Sequence, residues 1–238
     1  MNIIVVDLKN IGDLKNIKSD YFLQNLFDYL QKNKSLGIIK YNKKLQNRIN
    51  ININDYKNYS EKFTTIEIEI IPIIPNDNKN YYFINIMNER SFYHIYFNDN
   101  KEEIKNIYFN KEDNVSKIKI IIDYQVDSFE LLFSGCRCIE LISFKKFYRN
   151  NITDMGYMFY QCSSLREINF SNFNTNNVSN MSCMFNGCSS LKELDLSNFN
   201  NNNLKNMNSI FAGCTSLKRI NFTNFNTNKV TDISNMFG

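Results

Sequence analysis

The sequence predicts an α/β chain: a solenoid of stacked coils, with a parallel strand ladder and short helical turns, preceded by an α+β N-terminal cap region. Three observations carry this reading. Cys136, Cys162, Cys188 and Cys214 recur every 26 residues. Phe133, Phe159, Phe185, Phe211 and Phe237 keep the same interval, as do Ile139, Leu165, Leu191 and Leu217. No such repeat runs through residues 1–135, where two amphipathic stretches give way to strand-like runs. A fixed period of about 20 to 50 residues marks architectures in which each unit buries its apolar face only against its neighbours.

The elements follow in order, with 1–52 read as a helical segment, 53–127 as a β-rich region capping the solenoid, and 128–238 as the repeats. Asp20 to Gln31 is amphipathic, with Phe22, Leu26, Tyr29 and Leu30 on one side, and Leu36 to Ile49 reads as a second helix. Thr64–Ile73, Tyr81–Met87, Phe92–Phe97, Ile104–Phe109 and Val115–Ile122 are β-branched and aromatic runs separated by turn residues, the pattern of a sheet. Val126, Asp127 and Ser128 stand one period before Ile152, Thr153 and Asp154, so a truncated first coil begins here.

Within a unit, Leu165 to Asn174 reads LREINFSNFN. Its Leu165, Ile168, Phe170 and Phe173 follow the spacing of leucine-rich repeats, slightly altered, and Glu167 to Ser171 alternates as a half-buried strand does. Asn-rich turns follow at 174–177, 200–203 and 226–228. Met155, Met158, Phe159 and Cys162 then fall at i, i+3, i+4 and i+7, the stripe of a short helix, with Thr153–Asp154 placed as its N-cap. Met181, Met184, Phe185 and Cys188 repeat the stripe behind Ser179–Asn180. Met207, Ile210, Phe211 and Cys214 repeat it again behind Asn206.

The stretch ITDMGYMFYQCSSLREINFSNFNTNNVSNMSCMFNGCSSLKELDLSNFN resembles the BspA-like leucine-rich-repeat family, the 26-residue surface-protein repeat also called DUF285. The resemblance runs from about Cys136 to Gly238. It implies the solenoid fold and protein–protein binding, often adhesion at a microbial surface. The first unit departs from the pattern: CIELISFKKFYRN carries Lys146 where later units have Asn172, Asn198 and Asn224, read as bonding backbone between coils. The last coil, at Met236-Phe237-Gly238, is apolar and uncapped, and the expectation is either a truncated chain or an end that docks a partner.

A second resemblance lies in LQNLFDYLQKNKSLGIIKYNKKLQNRI, which is similar to an F-box without its usual Leu-Pro opening. It implies a Skp1-type adaptor held through Phe22, Leu26, Phe27 and Leu30, with Lys40, Tyr41, Lys43 and Lys44 as the basic stretch. Two helices packing on the β region read the same residues without a partner.

Composition narrows the function further. The chain has 238 residues, 43% of them hydrophobic, and a net charge of +4 spread over interleaved lysines and acids, which does not point to nucleic acid. No apolar run is long enough to span a bilayer and no secretory signal stands at the start; the expected compartment is the cytosol, with a surface or secreted location only if the true N-terminus is missing. Asn114, Asn151, Asn177 and Asn221 open Asn-x-Ser/Thr triplets that would matter only outside the cell. Each repeat cysteine sits on an apolar stripe, where a free thiol acts as a small hydrophobe, and the ladder cannot converge on a tetrahedral metal site. His94 is the only histidine, and no nucleophile–base pair, phosphate loop or paired-carboxylate motif accompanies it, so neither catalysis nor a cofactor is expected.

What remains is the exposed strand face. Side chains between the buried strand residues form three columns: Leu141, Glu167, Glu193 and Arg219; Ser143, Asn169, Asp195 and Asn221; Lys145, Ser171, Ser197 and Thr223. Mostly small and polar, they suit a protein or peptide partner, or simply a solvated surface. The expected function is non-enzymatic partner binding through this face; the alternatives are an F-box-like ubiquitin-ligase adaptor and, more remotely, an enzyme.

Overall fold

Ile66, Ile68 and Ile70 are buried while Glu67, Glu69 and Ile71 between them are half-exposed, the alternation of a strand with one face in the core. This strand, β1 (Ile66–Pro72), organises a computed structural model that describes residues 43–48, 64–73, 76–86, 90–123 and 126–238. The chain divides into Met1–Phe63 and Thr64–Gly238. In the first unit a short helix, α1 (Lys43–Arg48), buries Leu45, and the remaining expectations for the N-terminal segment, including Phe22, Leu26, Phe27 and Leu30, lie outside the described residues. Among the described residues no helix is long and apolar enough to cross a membrane.

In the second unit β2 (Tyr81–Tyr82), β3 (Tyr93–Phe97), β4 (Tyr108–Phe109) and β5 (Ile118–Ile122) precede β6 (Ile139–Lys146), β7 (Glu167–Asn169), β8 (Glu193–Asp195) and β9 (Arg219–Asn221). Five strands form one mixed sheet in the order β3-β5-β1-β6-β7. β1 runs antiparallel to both β5 and β6, whereas β6 pairs parallel with β7. β2 with β4, and β8 with β9, make separate two-stranded pieces. The strand runs expected around 64–73, 92–97 and 115–122 are therefore present; those at 81–87 and 104–109 shrink to two residues each.

The expected fold class is corrected here. The chain is mostly β in mixed sheets with almost no helix, not an α/β leucine-rich-repeat solenoid with a parallel ladder and helical turns. Among the strands, parallel pairing is limited to β6–β7 and β8–β9, and the two pairs lie in different sheets. The stripe of Met155, Met158, Phe159 and Cys162 is not a helix either. Tyr157 and Gln161 sit in the left-handed region at φ 56° and 58°, which an α-helix cannot accommodate. The backbone instead makes successive i→i+3 turns, Met158 N–H to Met155 O at 3.4 Å and Cys162 N–H to Phe159 O at 3.1 Å. Four N–H groups leave the segment: Met155, Tyr157, Phe159 and Gln161 donate to the carbonyls of Asn180, Ser182, Met184 and Asn186 in the next unit. Turns closing every three or four residues imitate helical spacing, because either geometry returns those positions to one side. The expected N-caps Asp154, Asn180 and Asn206 serve these turns, and Asp232 does the same one unit on, each accepting the N–H two residues ahead at 2.8–3.0 Å.

Successive 26-residue units nevertheless lie one on the next. Ser128, Asp154, Asn180, Asn206 and Asp232 are joined by parallel bridges. Phe133, Phe159, Phe185, Phe211 and Phe237 stack face to face with centroids 5.5–5.9 Å apart. A second file runs through Phe147, Phe173, Phe199 and Phe225. Each ring pair adds about 0.5–1.5 kcal/mol to the area it buries. The core is continuous from β5 to Phe211, so the antiparallel strands and the repeats share one interior.

Candidate functional site

The side of the five-stranded sheet that faces away from this core is set by register. On β6 the outward residues are Leu141, Ser143 and Lys145; Leu141 and Ser143 pair with Ile71 and Glu69 of β1, Lys119 of β5 and Tyr96 of β3 follow beyond Glu69, and Ile121 and His94 follow beyond Glu67. In the other direction Leu141 and Ser143 pair with Glu167 and Asn169 of β7. The face anticipated from the repeats thus begins well before them. Glu67, Glu69, Ile71, His94, Tyr96, Lys119 and Ile121 belong to the same surface, and period-2 alternation in each strand was the available signal. Which strands would be neighbours was not, because β1 inserts between β5 and β6, its sequence-distant partners.

The first rung is engaged in this sheet. Lys145 reaches Glu69 at 3.3 Å, Lys146 pairs with Glu67, and Lys119 lies 3.8 Å from Glu67. Ser143 is buried, at 6% exposure. Lys146 therefore replaces the repeat asparagine with a cross-strand ion pair, while Asn172 in the next unit donates from Nδ2 to Lys145 O at 3.1 Å.

The later rungs divide into two kinds. Asn169, Asp195 and Asn221 accept the N–H of Ser171, Ser197 and Thr223 at 2.9, 2.9 and 3.0 Å, so the second column caps its own turns and the third column supplies the donors. Hydrogen bonds from the Ser197 hydroxyl and amide, with a further one from Asn221, hold the Asp195 carboxyl below the ordinary carboxylate range. The first column is open. Glu167, Glu193 and Arg219 are exposed, and Arg219 stands 3.7 Å from Glu193 with both side chains largely in water. Beside it Arg166 reaches Glu140 at 2.7 Å, while Lys192 and Lys218 occupy the same place in the next two units.

The cysteines are built inward. Cys162, Cys188 and Cys214 donate from Sγ to the carbonyls of Phe133, Phe159 and Phe185 in the preceding unit, at 3.0, 3.2 and 3.0 Å. Burial pushes the thiols of Cys136, Cys162 and Cys188 well up, and raises Cys138 to about 12 and Cys214 to about 11. They are protonated structural donors, a use that spacing alone did not reveal. Among the described residues no three His, Cys, Asp or Glu side chains converge as metal ligands.

His94 lies between two carboxylates, Nδ1 at 3.3 Å from Glu103 and Nε2 at 3.5 Å from Asp123. Nearby, Arg149 is fully buried and donates to Asp123 O at 2.5 Å and Val126 O at 2.6 Å. Burial lowers this guanidinium to about 10. Arg149 falls in the repeat register of Thr175 and Asn201, which are also buried, and it ties the repeats to the strand before them.

Residues 127–238 match a family model described as Mycoplasma protein of unknown function, DUF285. The matched stretch opens one residue before Ser128, where the first inter-unit bridge forms, and it is the family that the 26-residue register resembles. No curated protein and no solved structure matches the chain.

Proposed function

From residues 127–238 as a DUF285 repeat segment, we propose that the chain is a non-enzymatic interaction module binding a protein or peptide partner through its open strand face. The observation that carries this reading is the free charged column. Glu167, Glu193 and Arg219 project one per unit, in the order acid, acid, base, with only a loose pair between the last two. A loose exposed pair contributes about 0–1 kcal/mol to the fold, so these groups are kept at little structural benefit and can turn to a counter-charge. The complementary partner carries basic groups opposite Glu167 and Glu193 and an acid opposite Arg219. Ile71, Leu141 and Tyr96, on the outward face of the five-stranded sheet that also carries Glu167, supply apolar surface.

The test is retention of a defined protein by the immobilised chain, compared with Glu193→Lys and Arg219→Glu. Each substitution should weaken retention by about tenfold, the effect of one lost charge pair with its repulsive replacement. Equal retention by all three chains removes the strand face from the account. A turnover activity abolished by His94→Ala would contradict the non-enzymatic part.

A further inference from the structure

On the open strand face the charges run across the strands, not along them. β7, β8 and β9 are 3 residues each, about 10 Å of chain, and Glu167, Glu193 and Arg219 each open one of them. Along β8 the next outward group, Asp195, is already engaged, accepting the Ser197 N–H at 2.9 Å. Along β7 and β9 that group is an uncharged asparagine, Asn169 or Asn221. The order acid, acid, base is therefore met only by a ligand that lies along the stack, across the strands. Its rungs are set by the step from unit to unit. Phe159 to Phe185 is 5.7 Å and Phe173 to Phe199 is 5.3 Å, while the next step is 5.9 Å from Phe185 to Phe211 and 6.3 Å from Phe199 to Phe225. Where β8 and β9 pair, strands lie about 4.7–4.9 Å apart.

Resting on the strand-face reading, we propose that the partner presents an α-helix to this face, laid along the stack, with basic groups on two successive turns and an acidic group on the third. An α-helix advances about 5.4 Å per turn, inside the range of these steps, so one side chain per turn meets one unit. Its diameter of about 10–12 Å matches the width of these short strands. An extended segment repeats its same-side groups every ~6.4–6.8 Å and a polyproline helix every ~9.3 Å. Both are longer than any of the steps, so their misfit accumulates from unit to unit. Lys or Arg at i and i+4, with Asp or Glu at i+7, supplies the three rungs. Carboxylates on the helix flank answer Lys192 and Lys218, which stand exposed at the strand entries, whereas Arg166 in the same file is held by Glu140 at 2.7 Å. A second copy of this chain has suitable spacing but the wrong order. Laid antiparallel with all three charges used, it sets Glu193 against Glu193; shifted by one unit, it leaves Glu167 unmatched.

The experiment is an NMR titration of the full chain at low ionic strength, where exposed charges are least screened, with three synthetic peptides. The first is an alanine-based peptide of about 18 residues, long enough to hold its helix, with Lys, Lys and Glu at i, i+4 and i+7. The second is the same helix carrying Glu, Glu and Lys. The third is a threonine-rich extended peptide carrying Lys, Lys and Glu at alternate positions. The expected result is saturable displacement of the Glu193 and Arg219 amide resonances by the first helix, with binding about tenfold weaker for each of the other two. Glu193→Lys, at an exposed position, should lose about tenfold toward the first helix and recover it when the i+4 lysine is exchanged for glutamate. Extended-peptide binding as tight as that of the helix overturns the helical partner and leaves the strand-face reading standing. Equal binding of the two helices, or no response to any peptide, also overturns it, and whole-protein retention then decides the strand-face reading separately. Self-association of the chain that Glu193→Lys abolishes would make a second copy the occupant and overturn it as well.

Discussion

The thiols of Cys162, Cys188 and Cys214 each donate into the preceding unit, and burial raises the proton affinity of all three. The folded chain therefore binds these protons more tightly than the unfolded one. Stability is full below the unfolded thiol range and declines as pH rises above it, from about 9 towards the raised folded values. The decline is roughly 1.4 kcal/mol per pH unit for each fully affected thiol. Denaturant unfolding at pH 8 and pH 10.5 should show a loss in the native chain that is smaller in Cys162→Ala/Cys188→Ala, whose neutral-pH stability is lower. An alkaline loss equal in both chains would exclude the thiols as its source. A second residue-scale prediction concerns Asp195: Asn fills its place in the neighbouring units and accepts the same N–H. Asp195→Asn should change stability by less than about 0.5 kcal/mol, and Asp195→Ala should cost roughly 1 kcal/mol in chemical denaturation. At this scale the sequence shows that the cysteines are periodic and apolar-facing. It does not show where their S–H groups point, because that depends on a carbonyl 29 residues away in the chain.

Among the elements, β1, β3 and β5 are legible from alternation because a strand with one buried face must repeat every second residue. The turns of 155–162 are not, since their inward residues recur at the spacing of a helix. The distinguishing signal was Gly187 and Gly213, which take positive φ inside two of the three expected helical stripes. Gln161→Gly should stabilise the chain by about 1 kcal/mol in thermal or denaturant unfolding, since it removes the left-handed strain at that site. The phenylalanine file carries larger stakes. Phe185 is fully buried between Phe159 and Phe211, and Phe185→Ala should cost about 3–5 kcal/mol, read as a lowered unfolding midpoint. A cost under about 1 kcal/mol would show that the units do not depend on this file.

For the whole molecule, the decisive feature is that β1 lies between β5 and β6 and joins the antiparallel strands to the repeats in one sheet. The 26-residue period makes stacking legible but carries no information about this insertion, since β1 and β6 are separated by the entire β2–β5 stretch. The candidate face was legible for the repeat columns and incomplete at its first rung for the same reason. A chain of residues 127–238 alone leaves β6 without its β1 partner, and it should melt at a lower temperature than the full chain. Site-specific photo-crosslinking reports whether a partner binds the strand face. A photoreactive side chain replaces Glu193 in one protein and Asn203, half-buried and off the strands, in another. A defined partner should be crosslinked from position 193 and not from 203. Crosslinking from 203 alone, or equally from both positions, would contradict it.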